Sequence, residues 1–141
     1  MKFMVIVKAS AASEAGIMPS EKLFVDMGNF NEELVKAGIL LAADGLMPSS
    51  KGARIRFDGD RRTVIDGPFA ETKELIAGFW MIEVGSKEEA IEWFKRCPNP
   101  HEDMASEIEI RQLFGPDDFG TDLPSEVRAQ EDRMREQLAA R

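Results

Sequence analysis

The sequence predicts an α+β domain in which two strand–helix–strand units are separated by a hairpin. Residues 3–7 and 76–84 are apolar on both faces of an extended chain, as expected for central strands of a covered sheet. Residues 20–37 and 86–97 repeat apolar side chains at helical spacing. An Asp-Gly-Asp turn at 58–60 lies between two short strand-like runs, which indicates the hairpin.

The first strand–helix–strand unit has clear boundary signals. Small residues at 9–16 predict a loop after the first strand, and Ser20 is placed to cap the helix that follows. Gly38 is expected to end this helix, because glycine readily adopts the left-handed conformation found there. A buried strand follows over 39–43, and a turn begins at Asp44.

The hairpin and the second unit complete the order of elements. The hairpin strands are expected over 54–57 and 63–65. Ser86 and Glu89 form a predicted capping box, in which each side chain accepts a hydrogen bond from the other residue's backbone N–H. In 107–111 isoleucines alternate with charged residues, which predicts a last strand with one solvent-exposed face. This order is that of a ferredoxin-like split βαβ fold with an inserted hairpin.

One face of such a sheet carries both helices, and the other face needs a different cover. The outward sides of 3–7 and 76–84 are too apolar to stay exposed to water. We therefore predict a homodimer, with strand 76–84 in the interface.

Residues 1–115 are expected to form one domain, and 116–141 a linker followed by a C-terminal docking helix. The predicted linker runs from Gly115 to Gly120, and Pro-Ser at 124–125 opens a highly charged helix. Its apolar stripe is thin, consisting of Val127, Met134 and Leu138. Such a helix does not fold alone. It must dock on the body, dock across the partner subunit, or fray, and docking across the partner is the prediction.

The composition excludes several classes of protein. The formal net charge of −8 argues against nucleic acid and anionic membranes as partners. A single cysteine, Cys97, rules out an intrachain disulfide and suggests a reducing compartment. The apolar N-terminal run ends at Lys8, too soon for a signal sequence or a membrane span. The expected location is cytoplasmic.

We expect no metal and no cofactor. One histidine and one cysteine do not supply the ligand clusters of metal sites, and the glycines are scattered among separate turns instead of forming a phosphate-binding loop. Cys97 falls on the apolar side of a predicted helix, where it is interpreted as a small buried hydrophobe.

The segment 66–74, Asp-Gly-Pro-Phe-Ala-Glu-Thr-Lys-Glu, places four charges between two strands. Asp66, Glu71 and Lys73 could converge so that Lys73 holds a polar ligand while a carboxylate moves a proton. The alternative is an ionic latch, in which Asp66 accepts hydrogen bonds from the loop backbone and Glu71 pairs with Lys73 or with an arginine of the hairpin. Both interpretations remain open.

Four further residues complete the candidate site. Phe69 and Trp80 would provide an apolar flank beside the charged groups, as in many small-molecule pockets. Asp44 is a further ligand-binding candidate at a strand end. His101 is the only histidine, and histidine exchanges a proton near neutral pH. The catalytic candidates are thus Asp66, Lys73 and His101, although a histidine in an acidic, proline-rich loop is more often simply solvated.

The Asp-Gly-Pro-Phe run at 66–69, the segment 75–80 and the Arg-Cys-Pro run at 96–98 resemble the DGPF branch of the YciI-related family, over residues 1 to 114. The resemblance implies a dimeric α+β barrel, in which two sheets pack face to face. It brings no assigned reaction, because most members of that family have none.

One branch of that family resembles dehydrochlorinases and is thought to use a His–Asp acid/base pair, with the histidine on the first helix. Here the segment 20–37 has no histidine, and Met27 or Gly28 stands near the expected place. The mechanism therefore does not transfer, unless the loop of His101 reaches the same cavity.

Three classes of function remain. The first is a cofactor-free, lyase- or isomerase-like enzyme acting by proton transfer on a small polar metabolite. The second is a binding or regulatory module, for which the resemblance implies an association with extracytoplasmic-function sigma factor systems. The third is a purely structural dimer.

Overall fold

The computed structural model describes residues 1–119 and 123–141. The strands are β1 (Lys2–Lys8), β2 (Leu40–Gly45), β3 (Ala53–Asp58), β4 (Arg61–Asp66), β5 (Ile76–Glu83) and β6 (Ile108–Gln112). The helices are α1 (Ala11–Glu14), α2 (Glu21–Lys36), α3 (Lys87–Phe94) and α4 (Ser125–Ala139).

The main sheet has the strand order β2-β5-β1-β6, and every neighbouring pair is antiparallel. Helix α2 connects β1 to β2, and α3 connects β5 to β6. Strands β3 and β4 form a separate two-stranded hairpin between the two units. The predicted α+β class is confirmed, and the strand order is compatible with the ferredoxin-like fold.

The core lies between the main sheet and helices α2 and α3. On this face the register places Phe3 opposite Ile82 and Val5 opposite Trp80, and all four side chains are buried. The helices contribute buried side chains at the spacing of one helical face, Leu23, Phe30 and Leu34 from α2 and Ala90 and Phe94 from α3.

The predicted helix caps are largely confirmed. The Ser20 hydroxyl accepts from the N–H of Leu23, and Gly38 follows α2 with a φ of 74°. The Ser86 hydroxyl accepts from the N–H of Glu89. The reciprocal bond of the capping box is shifted by one residue, because the Glu89 carboxylate accepts from the N–H of Gly85 at 2.8 Å.

Two predicted loops contain short helical turns. Part of the expected loop at 9–16 forms α1, because Ser10 and Ser13 each accept a hydrogen bond from the other's backbone N–H. In the predicted linker, Pro116–Phe119 form a 3₁₀ turn, while Gly120 lies outside the described residues.

The second face of the main sheet has no covering layer among the described residues. Strand alternation places Met4, Ile6, Phe79 and Met81 on this face, where they are only partly buried. The side chains of the β3–β4 hairpin are exposed along both strands. Helix α4 has no buried residue. The predicted dimeric barrel would cover the open sheet face, and it stays a prediction.

Across residues 1–119 and 123–141, none of the helices combines the length and the apolar character needed to span a lipid bilayer.

Candidate functional site

A cleft of about 440 Å³ lies at the end of the main sheet where β1 finishes. Its polar lining comprises Lys8, Ser10, Lys73, His101, Ser106 and Glu107. The alanines at 9 and 105 and Met104 complete the wall. Cationic, hydroxyl, imidazole and carboxylate groups therefore share one small space.

The strand order brings these residues together. Strand β1 lies between β5 and β6 and is antiparallel to both, so its C-terminal end meets the beginning of each neighbour. Lys8 closes β1, Lys73 precedes β5, and the loop of His101 precedes β6. A hydrogen bond from the N–H of Ala9 to the carbonyl of Leu75, at 3.0 Å, ties the first two segments together.

The imidazole of His101 is held by the backbone of β1. Its Nε2 lies 2.7 Å from the carbonyl oxygen of Lys8. A carbonyl oxygen can only accept, so Nε2 carries the hydrogen and donates it. In the neutral ring Nδ1 is then the nitrogen that can accept a proton. The contact joins His101 to another cleft residue 93 positions away in the chain.

The two lysines of the cleft have different surroundings. Lys8 pairs with Glu109 at 3.4 Å, and Arg111 pairs with the same carboxylate at 3.2 Å. Arg111 and Lys8 both donate hydrogen bonds to the Glu109 carboxylate, and the bond from Arg111 has the larger effect. Together with the positive charge of Lys8, they lower the pKa of Glu109 below its usual value. Lys73 is exposed and forms no ion pair within 4 Å in the described part of the chain. Its ammonium group is therefore available to an anion.

Glu71 and Phe69 take part in contacts with the hairpin. Glu71 pairs with Arg54 at 3.5 Å, one of the pairs expected of a latch. The guanidinium of Arg54 also lies 3.9 Å from the centre of the Phe69 ring, a cation–π contact. These contacts fasten the signature loop, residues 66–74, to β3.

A second group of contacts fastens the same loop to the 3₁₀ turn at 49–51. The N–H of Phe69 donates to the Ser49 hydroxyl at 3.0 Å, and the N–H of Gly67 donates to the carbonyl of Gly52 at 3.0 Å. Ser49 is held in turn by the Glu14 carboxylate, which accepts from its backbone N–H at 3.0 Å and from its hydroxyl.

The remaining candidates do not line the cleft. Asp66 is exposed at the end of β4, opposite Ala53. Asp44 is exposed on β2 and lies opposite Phe79, on the open face of the sheet. Of the predicted site residues, the structure thus brings only Lys73 and His101 into one cleft.

Trp80 lies in the core, on the helix-covered face of β5. It is 5 % exposed, and its indole N–H donates to Oδ1 of Asn31 at 2.7 Å. Its ring makes edge-on contacts with Phe30 and Phe94, at centroid distances of 6.3 and 5.1 Å. The predicted role of an apolar flank for a ligand is untested, and these contacts account for Trp80 by packing.

Sequence reasoning missed four polar residues of the cleft, Lys8, Ser10, Ser106 and Glu107. Lys8 is visible in the sequence as a charge at the end of an apolar strand, a pattern that does not by itself indicate a cleft. Ser10 falls in a predicted loop and Glu107 begins the alternating pattern of the last strand, and neither pattern indicates a binding site. Their place in the cleft depends on which strand ends are neighbours.

Cys97 lies just after the end of α3 instead of on it, and it is half-buried, packed against the edge of the core. Burial raises the pKa of its thiol to about 12, so the thiolate is scarce at neutral pH. No cluster of three or more His, Cys, Asp or Glu side chains that could hold a metal ion occurs in the portion of the chain that the structure describes.

The architecture and the cleft together define a small α+β domain with a polar site at one end of an antiparallel sheet. Comparison with protein families gives this class a name: the YCII-related domain matches residues 1–114, and the chain belongs to that family. It is also similar to an uncharacterised protein of Rhizobium meliloti (strain 1021), with 33% identity over 93 residues that make up 66% of this chain and 74% of that protein. The family membership suggested by the signature loop is therefore confirmed, and its DGPF branch stays a prediction.

Proposed function

We propose that this YCII-related protein binds a small, polar, anionic metabolite in the cleft and moves a proton on it through His101, without a cofactor. The carrying observation is that Lys73 and His101, which belong to separate loops, line the same cleft. A cation and a proton carrier in one small space are the minimum that such chemistry needs.

The charges of the cleft favour a small anion that also carries a hydrogen-bond donor. Lys73 offers an ammonium group that forms no ion pair with a carboxylate of the described residues. Lys8 is already paired with Glu109, so its charge attracts a ligand less strongly. Glu107 adds an acceptor and repels a second negative charge. A hydroxy acid, or a phenol that also carries a carboxylate, combines the required groups.

His101 is suited to accept and return a proton. Its Nε2 hydrogen is engaged by the Lys8 carbonyl, which orients the ring and leaves Nδ1 as the base. In the proposed step Nδ1 takes a proton from a carbon next to the ligand carbonyl or carboxylate. The electron pair of the broken C–H bond is delocalised onto the neighbouring carbonyl or carboxylate oxygen. This gives an enolate, and Lys73 stabilises its negative charge. Return of the proton to another atom is isomerisation, and departure of a leaving group is elimination.

The proposed molecule is a homodimer in which the open sheet face is the interface. Apolar side chains on this face are only partly buried in one protomer, which supports a second layer. A face-to-face arrangement should bury on the order of 1,500 Å² in total. Residues 116–141 are proposed to form a separate linker and a helix that docks across the partner, because α4 buries no side chain against its own protomer.

Thermal unfolding and NMR with a panel of small carboxylates and phenols test the proposed site. At least one compound should raise the melting temperature of the wild type and shift the imidazole signals of His101. Lys73→Ala should remove both effects without changing the stability of the free protein, because Lys73 is exposed. The matched control is Lys51→Ala, an exposed lysine outside the cleft, and it should respond like the wild type.

Two results would contradict the proposal. One is that no compound moves either the melting temperature or the His101 signals. The other is that Lys73→Ala binds as well as the wild type. If a compound binds, exchange of its C–H hydrogens for deuterium in heavy water, lost in His101→Gln, separates proton transfer from binding alone. Binding without exchange would identify a binding module.

A further inference from the structure

The loop that carries His101 is built around the side chain of Asn99. The Asn99 Oδ1 accepts from the backbone N–H of His101 at 2.9 Å and from the hydroxyl of Ser106. The amide group of Asn99 donates to the carbonyl of Met104 at 2.8 Å. One side chain therefore connects three positions of the loop, and His101 is one of them.

A second residue ties this loop to the body of the domain. The Glu102 carboxylate accepts from the backbone N–H of Ser20, directly before α2, at 3.1 Å. Hydrogen bonds from the Ser20 side chain and backbone lower the pKa of Glu102. Glu102 also has a φ of 61°, in the left-handed region that non-glycine residues seldom adopt. Such a conformation persists when surrounding contacts hold it in place.

We infer that Asn99 and Glu102 are positioning residues, which hold His101 against the Lys8 carbonyl and thereby set its ring for proton transfer. This inference rests on the proposed function of the cleft. Asn99 fixes the backbone of His101 from inside the loop. Glu102, the next residue in the chain, anchors the loop to Ser20 at the start of α2. The ring of His101 itself is held by one hydrogen bond at 2.7 Å. Backbone hydrogen bonds from Glu102 to Asn99 and from Met104 to His101 shape the loop locally, and the two anchors fix its position relative to the ring and to α2.

The alternative is that Asn99 and Glu102 only stabilise the fold. In that case their removal lowers the melting temperature but leaves the imidazole of His101 as it was. Because the chain has one histidine, its imidazole is a unique NMR signal. The exchange of its Nε2 hydrogen with water measures the bond to Lys8 directly.

The test uses the full-length, ¹⁵N-labelled protein without any added ligand. The Nε2 hydrogen of His101 should be visible in the wild type, and it should exchange about tenfold faster, or become invisible, in Asn99→Ala. Asn29→Ala, at an exposed position on α2, is the control and should keep the wild-type signal. The melting temperature is recorded for each variant.

Glu102 gives a second, independent comparison if Asn99→Ala is poorly folded. Glu102→Ala should accelerate the exchange, whereas Glu102→Gln, which retains an acceptor oxygen for Ser20, should restore most of the protection. Unchanged exchange in both alanine variants, or an equal loss in Glu102→Gln and Glu102→Ala, would overturn the inference. Since no ligand is present, these results do not depend on whether the ligand screen succeeds.

Discussion

A Cβ atom on Gly67 would lie 1.8 Å from the carbonyl oxygen of Ser49, well inside the contact distance of the two atoms. The signature loop approaches the 3₁₀ turn at 49–51 so closely that a side chain at 67 has no room. Glycine is therefore required there by the approach of one backbone to another. This contact explains the second residue of the Asp-Gly-Pro-Phe run without reference to a ligand.

Gly67→Ala should lower the free energy of unfolding by ~1–3 kcal/mol, because the loop must move away from Ser49. The matched control is Gly28→Ala. A Cβ at Gly28 meets nothing within 4 Å, and alanine is favoured inside a helix, so stability should rise by up to ~1 kcal/mol. Denaturant unfolding of the three proteins measures both effects. Equal stability of Gly67→Ala and wild type would show that the close contact does not form.

Charged substitutions on the open sheet face should dissociate the proposed dimer. Light scattering of the wild type at micromolar concentration should give twice the chain mass of 15.8 kDa. Met81→Glu should give the single-chain mass, because an unpaired charge in an apolar interface costs several kcal/mol. Val35→Glu, on the exposed side of α2, is the control and should remain dimeric. A monomeric wild type would refute the face-to-face arrangement.

Deletion of 121–141 should leave a cooperatively folded core. Helix α4 has no buried residue, so removing it should cost at most a few kcal/mol. If α4 docks across the partner, the cost should appear as a weaker dimer and a melting temperature that depends more strongly on protein concentration. Calorimetry at two concentrations distinguishes these effects. Loss of cooperative unfolding in the truncated protein would show that residues 121–141 are part of the folded core.

The ion pairs of Glu109 should stabilise the protein only while its carboxylate is ionised. Arg111 and Lys8 lower its pKa in the folded state, so the folded form favours the ionised group more than the unfolded form does. The stability difference between wild type and Glu109→Gln should be complete at pH 7. It should then shrink as the pH falls below 4.5, the ordinary value, and through the lower folded pKa.

Urea unfolding at several pH values measures this difference. Glu32→Gln, at an exposed helix position without an ion pair among the described residues, is the control for loss of a carboxylate alone. A difference for Glu109→Gln that stays constant from pH 7 down to about pH 3 would contradict the assignment of these ion pairs.

Local signals predicted most of the secondary structure. Strand alternation, the Ser20 cap and the glycine that follows α2 each act within a few residues, so they are legible without knowledge of the fold. Helix α1 was missed because its stretch of small residues resembles a loop. Its serine pair, Ser10 and Ser13, became informative only when both side chains were seen to cap it.

Trp80 shows where nearness along the chain misleads. Its place shortly after the signature loop suggested a shared site, but it lies about 13 Å along the strand from Ile76. Alternation then turns its ring toward α2 and α3, where it packs against Phe30 and Phe94.

Local spacing and composition are sufficient to predict the α+β class, most of the element boundaries and the family to which the signature loop belongs. The cleft that Lys73 and His101 share with Lys8, in contrast, forms only when the chain is folded. Their meeting depends on β1 lying between β5 and β6, a pairing of residues far apart in the chain. Asp66 and Asp44 lie elsewhere because Asp66 is on the separate β3–β4 hairpin and Asp44 is on β2, which β5 separates from β1.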